Sequence, residues 1–463
     1  MKRVIDKRDN VGIEFGDGER IPAGHKFALR DIREGEYIIK YGAVIGRATQ
    51  NIAAGEWVHT HNLRTQLDER TEYCYHFLPE ELPVVKRTFY GYRRKNGRSG
   101  IRNEIYILPT VGCVNSVCRT LEREAQRYVR GSIDGIYALT HPFGCSQLGE
   151  DAQNLRRLLC GIALHPNASR VLIVGLGCEN NGIEKMREEL GDREEVVYYN
   201  CREAQDEIAC GLEILRRFAS EAETFRREEA DWSELRIGLK CGGSDGYSGL
   251  TANPLVGKIA DEAVSAGGGA VLTEIPEMFG AEQLLMDRCA DRAVYEKYRS
   301  VILNFRESYQ RQGFPVYENP SPGNRAGGIT TLEEKSLGCI RKAGRGTITE
   351  VIDYGGQTKK SGICVLNGPG NDLIAATALG AAGCQIVLFT TGRGTPFSAF
   401  VPTLKISSNT RVAAEKRNWI DFDGYRGTES ELLKLVQRTL NGEYRCKGEA
   451  DKEIAFYKTG VTL

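Results

Sequence analysis

The sequence predicts an α/β protein: a small N-terminal β-rich module followed by α/β domains built on mainly parallel sheets. Three observations predict it. Short strand-like runs separated by glycine turns crowd the first 75 residues. From about residue 90, strand-like runs alternate with longer helix-like runs. The chain has 463 residues, room for two to four domains at about 100–200 residues each.

The N-terminal module rests on KFALRDI (26–32) and YIIKYGAVIGRA (37–48). The pieces AGHKFALRDIREGEYI and YGAVIGRATQNIAAGEWV form a short internal echo, each with a Gly-Glu turn followed by an aromatic residue, which suggests a compact β-clip or barrel-like unit. Residues 66–90, with mixed charge and two prolines, read as a linker. The strands expected beyond it are 104–111, 135–141, 170–176, 196–200, 235–240, 269–275, 362–367 and 385–391, with helices such as 117–129 and 253–266 between them. The polar stretch 219–234 is the best internal boundary, although it also reads as a solvated helix. The expected domains are therefore 1–75, 76–230 and 231–463.

Lys+Arg and Asp+Glu both number 62, so the balanced charge argues against nucleic acid or an acidic membrane as partner. No apolar run approaches the ~20 residues of a membrane helix. The start, MKRVIDKRDN, lacks an apolar signal core, so a cytoplasmic location is expected. Disulfides are disfavoured there, which leaves the 14 cysteines to be explained otherwise.

Four expected strands end in glycine–cysteine turns: Cys113 after 104–111, Cys145 after 135–141, Cys178 after 170–176 and Cys241 after 235–240. Ligands of open α/β sheets bind at the carboxyl ends of strands, and helix N-termini there favour thiolates, which suit iron, zinc or iron–sulfur clusters. Taken singly, each thiol reads as packing. The other cysteines lack this context, with Cys339, in a helix-like run, ambiguous.

Further groups lie at turns. In CGGSDGYSGLTANP (241–254), Ser244, Asp245, Ser248 and Asn253 suit a polyhydroxylated ligand, or cap a helix. Arg393, between glycines in FTTGRGTP, suits a carboxylate clamp, or a solvated loop. SPGNRAGGITTLEEKSLG offers Asn324, Glu334 and Lys335, with capping plus surface charge as the plainer reading. LTEIPE places Glu274 and Glu277 at a strand end, suited to acid/base work or metal ligation. His59 and His61, two apart in EWVHTHN, would share one face of a strand. No P-loop, G-x-G-x-x-G, HExxH or clustered CxxC is present, so nucleotide binding, a zinc protease and a zinc finger are not indicated.

Together, GHKFAL, YGAVIGRA, AGEWVHTHN, GYRRKNGRSGIRNEIYILPTVGCVN, THPFGCSQLGED, GLGCENN, KCGGSDGYSGLTANPLVG, PSPGNRAGGITTLEEKSLG, GPGNDLIAATALGAAG and FTTGRGTP resemble the altronate/galactarate dehydratase family, nearest its altronate branch. The resemblance spans residues 12 to 410. It implies an N-terminal SAF domain and metal-dependent loss of water from an aldonate or aldarate, giving a 2-keto-3-deoxy acid. The implied metal is divalent, iron first; hard oxygen ligands would favour a mononuclear Fe2+ or Mn2+ site, and three or four thiolates an iron–sulfur cluster. The family also includes sulfolactate sulfo-lyases, which remain the alternative activity. On this reading Cys113, Cys145, Cys178 and Cys241 are candidate metal ligands, with His59 and His61 as competitors or proton carriers. His141, Glu274 and Lys335 are the acid/base candidates. Ser244, Asp245, Ser248, Asn253, Asn324 and Arg393 are the candidate substrate contacts. The partner is a small sugar acid; a homo-oligomer is allowed, and no motif sets its size.

Overall fold

A computed structural model describes residues 4, 6–16, 18, 20–67 and 72–463; residues 68–71 of the expected linker lie outside them. The N-terminal module holds two three-stranded antiparallel sheets. One orders Val11–Ile13, Lys26–Ala28 and Trp57–Val58; the other orders Tyr37–Lys40, Ala43–Ala48 and Leu63–Arg64. The sequence echo becomes an internal symmetry. Ile32 and Ile52 exchange both backbone hydrogen bonds, 2.9 and 2.8 Å, and Gly35 and Gly55 occupy matching left-handed turns at φ +79° and +81°.

The second unit carries a four-stranded parallel sheet in the order Gly135–Ala138, Glu104–Pro109, Ala168–Gly175, Val196–Asn200. The polar stretch 219–234 is not a solvated helix throughout. It ends a helix at Ala222 and then forms the strand Glu228–Asp231, antiparallel to Thr88–Arg93.

The third unit is a seven-stranded parallel sheet, ordered Ile348–Ile352, Gly362–Leu366, Gly269–Leu272, Arg236–Gly242, Ile386–Thr391, Thr403–Ser407, Phe422–Asp423. The chain leaves its central strand, Arg236–Gly242, toward one edge and returns through helix Asp372–Ala381 to Ile386–Thr391 on the other side. That reversal is a topological switch point, where adjacent connections diverge and open a crevice at the carboxyl ends of the strands.

The units share cores. One apolar cluster runs from Val11, Ile38 and Val58 of the first module into Val256, Ile259 and Leu337 of the third. Another joins Leu108, Leu158 and Ile173 of the second unit to Leu379 and Phe389 of the third. Among the described residues no helix is long and apolar enough to cross a membrane.

Candidate active site

The crevice at the switch point is a cavity of about 430 Å³ lined by Cys241, Ser244, Glu277, Asn324, Lys335 and Asp372, among others. The ends of three strands, Arg236–Gly242, Gly269–Leu272 and Gly362–Leu366, or their following turns line it, because a parallel sheet points them all the same way. Backbone fits tightly here. A Cβ on Gly242 would stand 2.4 Å from an Asp372 carboxylate oxygen, so glycine is required where strand and helix N-terminus meet. Glu274 sits in the left-handed region at φ +74°, a conformation that is costly for a non-glycine residue and turns the chain sharply after Leu272.

Beneath the cavity lies a buried charged group. Cys241, Glu274, Glu277 and Cys339 bring one donor atom each within 4.8 Å of one another, a set that could hold a metal ion. Lys342 Nζ lies 2.7 Å from Cys241 Sγ, 3.0 Å from Cys339 Sγ and 3.0 Å from Glu274 Oε2. Lys240 Nζ pairs with the other Glu274 oxygen and, at 2.9 Å, with Asp372. Lys335 Nζ donates to Glu277 Oε1 and to Asn319 Oδ1, both at 2.9 Å. A buried charge is tolerable only when paired in this way.

Burial alone would raise the Glu277 carboxyl, but Lys335, Lys240 and Lys342 outweigh it and hold Glu277 below the usual carboxylate range. Burial opposes the Lys335 ammonium, and Glu277 overcomes it, so Lys335 titrates above an ordinary lysine. The hydrogen bond to Cys339, then burial, push the Cys241 thiol well above its ordinary value. At neutral pH the cavity thus presents the Glu277 carboxylate, the Lys335 ammonium and a protonated Cys241 thiol.

The residues expected from sequence distribute unevenly. Ser244, Asn324, Lys335 and Cys241 line the cavity. Asn324 is anchored there, donating to Ser244 O at 2.8 Å and closing a capping box with Ser321. Glu274 lies behind the cavity, fully buried between two lysines. Asp245 faces inward on its own loop, accepting from Ser248, Ser408 and Asn409. Asn253 bridges Gly338 O and Thr390 Oγ1. Arg393 donates to Gly323 O at 2.7 Å and lines a neighbouring cleft with Asp245, Asn409 and Arg426.

The two histidines of the first module do not share a strand face. The strand stops at Val58, and Asn62 caps a turn by accepting from His59 N at 2.9 Å. His61 is exposed, whereas His59 Nε2 meets Arg325 O at 3.0 Å and its ring stacks on His25 at 5.2 Å. The module therefore braces the turn that carries Ser321 and Asn324. The four strand-end thiols are divided between two sheets. Cys241 sits in the seven-stranded sheet with Cys339 3.7 Å away, while Cys113, Cys145 and Cys178 follow three strands of the four-stranded sheet.

His141 also belongs to the second unit. Its Nε2–H donates to Pro109 O at 2.8 Å and its Nδ1 accepts from Phe143 N at 3.2 Å, which pins two loops together. Burial lowers it to about 4, and lowers His165 to about 3. Both stay neutral in the native state while the unfolded chain takes up protons below about pH 6.5. Stability is therefore expected to fall as pH drops from about 6.5 toward 4, by about 1.4 kcal/mol per pH unit for each such histidine. Urea unfolding at a series of pH values checks this; H165Q should flatten the slope, and an unchanged slope refutes the assignment.

Residues that sequence reasoning left out are Lys240, Lys342, Asp372, Asn319 and Tyr309, and it left Cys339 unassigned. Only Lys240, beside the Cys241 turn, carried a local signal.

Three family models match in succession: the altronate/galactarate dehydratase SAF domain over residues 4–66, the D-galactarate dehydratase/altronate hydrolase second domain over 91–223, and the D-galactarate/altronate dehydratase C-terminal model over 232–462. Altronate dehydratase of Escherichia coli (strain K12) is 46% identical over 458 residues, covering 96% of this chain and 92% of that protein. Altronate dehydratase of Bacillus subtilis (strain 168) is 46% identical over 494 residues, covering 99% of each. Galactarate dehydratase (L-threo-forming) of Escherichia coli (strain K12) is 33% identical over 455 residues, covering 90% and 84%.

Proposed function

The chain belongs to the D-galactarate/altronate dehydratase family, and from that premise we propose that it is a hydro-lyase that removes water from a sugar acid of altronate type, or a related aldarate, to give a 2-keto-3-deoxy acid. The observation that carries the reading is the Glu277–Lys335 pair, 2.9 Å apart on the floor of the switch-point cavity. Dehydration must take a proton from C2 and deliver one to the departing C3 hydroxyl. Glu277 is the carboxylate available to accept, and Lys335 is the ammonium placed to donate. Ser244 and Asn324 orient hydroxyls along the cavity wall. Arg393, in the neighbouring cleft and donating to Gly323 O, is the candidate clamp for the far end of the acid.

The family reading brings a metal, iron first and Mn2+ as alternative. The donor chemistry fits: two sulfurs with two carboxylates suit Fe2+, and the sulfurs suit Mn2+ less well. Cys241, Cys339, Glu274 and Glu277 Oε2, the oxygen turned to the two sulfurs, would hold it, with the Lys342 ammonium displaced from the atoms it now contacts and Glu277 Oε1 left beside Lys335 as the proton acceptor. Bound there, a divalent ion supplies Lewis-acid stabilisation of the negative charge that develops on the substrate carboxylate. Because Cys241 is a thiol beforehand, loading is expected to release protons. Anaerobic Fe2+ titration of the full chain in weak buffer measures this release. C241S should diminish it, and loading without proton release counts against these ligands.

The deciding experiment is an anaerobic assay with Fe2+ over a panel of aldonates, aldarates and sulfolactate. Formation of 2-keto-3-deoxy acid supports the hydro-lyase. Absence of turnover with every sugar acid refutes it, and sulfite release from sulfolactate alone points to the sulfo-lyase.

A further inference from the structure

The second unit holds a thiol group that the proposed chemistry of the third leaves unused. Cys113, Cys145 and Cys178 follow Glu104–Pro109, Gly135–Ala138 and Ala168–Gly175, which are neighbours in one parallel sheet, so all three emerge at the same carboxyl edge. They are three of the five exposed cysteines among 14, and all are free.

Their loops are knitted together. Gly112 N donates to Phe143 O at 2.8 Å, and Asn181 N donates to Gly144 O at 3.1 Å. Ser146 N donates to Asn180 Oδ1 at 3.0 Å, and Cys145 Sγ lies 3.8 Å from that same oxygen. The glycine before each cysteine makes this approach possible. A Cβ on Gly144 would stand 2.0 Å from Thr110 O, one on Gly112 3.0 Å from His141 O, and one on Gly177 2.8 Å from Asn200 Nδ2. Gly144 and Gly177 also need φ of +107° and +101°. The carboxylate next to Cys178, Glu179, is occupied by the N–H groups of Leu176, Gly177 and Cys178 and by the Thr110 hydroxyl. The sulfurs are therefore the ligating atoms this edge offers. Leu148 (43% exposed) and the C-terminal residues Val461 (73%) and Leu463 (78%) supply an exposed apolar rim, with Leu463 N on Ser146 O at 3.0 Å.

We infer that Cys113, Cys145 and Cys178 form a second metal centre, separate from the Cys241 group, that takes an iron–sulfur cluster through three thiolates. Thiolates are the ligands such clusters take. A single tetrahedral ion at about 2.3 Å from each sulfur would need sulfurs about 3.8 Å apart. Among the described residues, the group that compact is Cys241, Glu274, Glu277 and Cys339, so the more widely set strand-end thiols suit a polynuclear centre. The fourth iron of a cubane cluster would have no protein thiolate and would keep an exogenous ligand.

The test uses a preformed [4Fe–4S] cluster ligated by a small alkyl thiol, offered anaerobically to the full chain. Each protein thiol gives its proton to the thiolate it displaces; three small thiols leave and no electron changes hands. After desalting, four irons and four acid-labile sulfides per chain are expected, with a broad visible band that dithionite bleaches. C113S, C145S and C178S should each lose band and sulfide, while C241S retains both. Alkylation of the unmutated chain gives a readout that needs no folded variant. Loading should protect Cys113, Cys145 and Cys178 and leave exposed Cys74 and Cys210 reactive. Iron retained without sulfide, a band that survives the triple serine variant, or alkylation unchanged by loading overturns the proposal. The outcome is independent of the sugar-acid assay, so either reading can fail alone.

Discussion

E277Q is expected to lower kcat for sugar-acid dehydration by about 10²–10⁴-fold, the range for removing a positioned acid or base. The substitution keeps size and shape, so the cavity and the contact with Lys335 survive while the proton acceptor is lost. A group that acts only in the transition state changes kcat and leaves KM nearly unaltered. Iron content decides how the loss arises. Unchanged iron with depressed kcat assigns Glu277 to proton transfer; iron lost together with activity assigns it to the metal. A kcat close to that of the unmutated enzyme removes Glu277 from the mechanism. The same measurement on K335M tests the donor, and it should lose activity by a comparable factor.

E334Q is expected to cost about 3–5 kcal/mol of stability, the usual penalty for breaking a buried ion group by removing one partner. Glu334 joins the first module to the third. Lys26 Nζ lies 2.7 Å from Oε2 and Lys40 Nζ 2.6 Å from Oε1, and all three side chains are essentially inaccessible. Burial would raise the Glu334 carboxyl, and the two lysines hold it far below the usual range instead. Neutralising it leaves two buried ammoniums facing each other. That loss is large beside a typical folding stability of about 5–15 kcal/mol. A lowered urea midpoint, with faster proteolysis in the 66–90 segment, is the expected result. K40M combined with E334Q should recover part of the loss, because it removes one uncompensated charge. A midpoint unchanged in E334Q shows that the shared apolar core alone holds the module in place.

Several strands were legible because their residues are uniformly apolar. Runs such as VLIVG (171–175) and IVLFTT (386–391) are buried on both faces of parallel sheets. Thr403–Ser407 was not legible. TLKIS carries a lysine in its centre, which reads as surface, yet Lys405 is buried and its Nζ reaches Pro396 O at 3.1 Å. The helix Leu332–Cys339 misled for a similar reason. LEEKSLGC reads as a charged solvated face, whereas every one of its residues is buried. Glu334 pairs with the first module, Lys335 faces the cavity, and Cys339 meets Cys241. Buried ion groups leave no hydropathy pattern, since their partners lie far away in sequence.

Composition and strand patterning by themselves determined that this is an α/β protein with a β-rich N-terminal module, and glycine–cysteine turns placed thiols at strand ends. Those features are local: a strand's apolar run and a turn's glycine are written in adjacent residues. Which thiols meet was decided only by the tertiary structure. Strand order within a parallel sheet depends on how the crossovers wind, and that winding put Cys241 with Cys339, Glu274 and Glu277 at the carboxyl end of one sheet and Cys113, Cys145 and Cys178 at the carboxyl end of another.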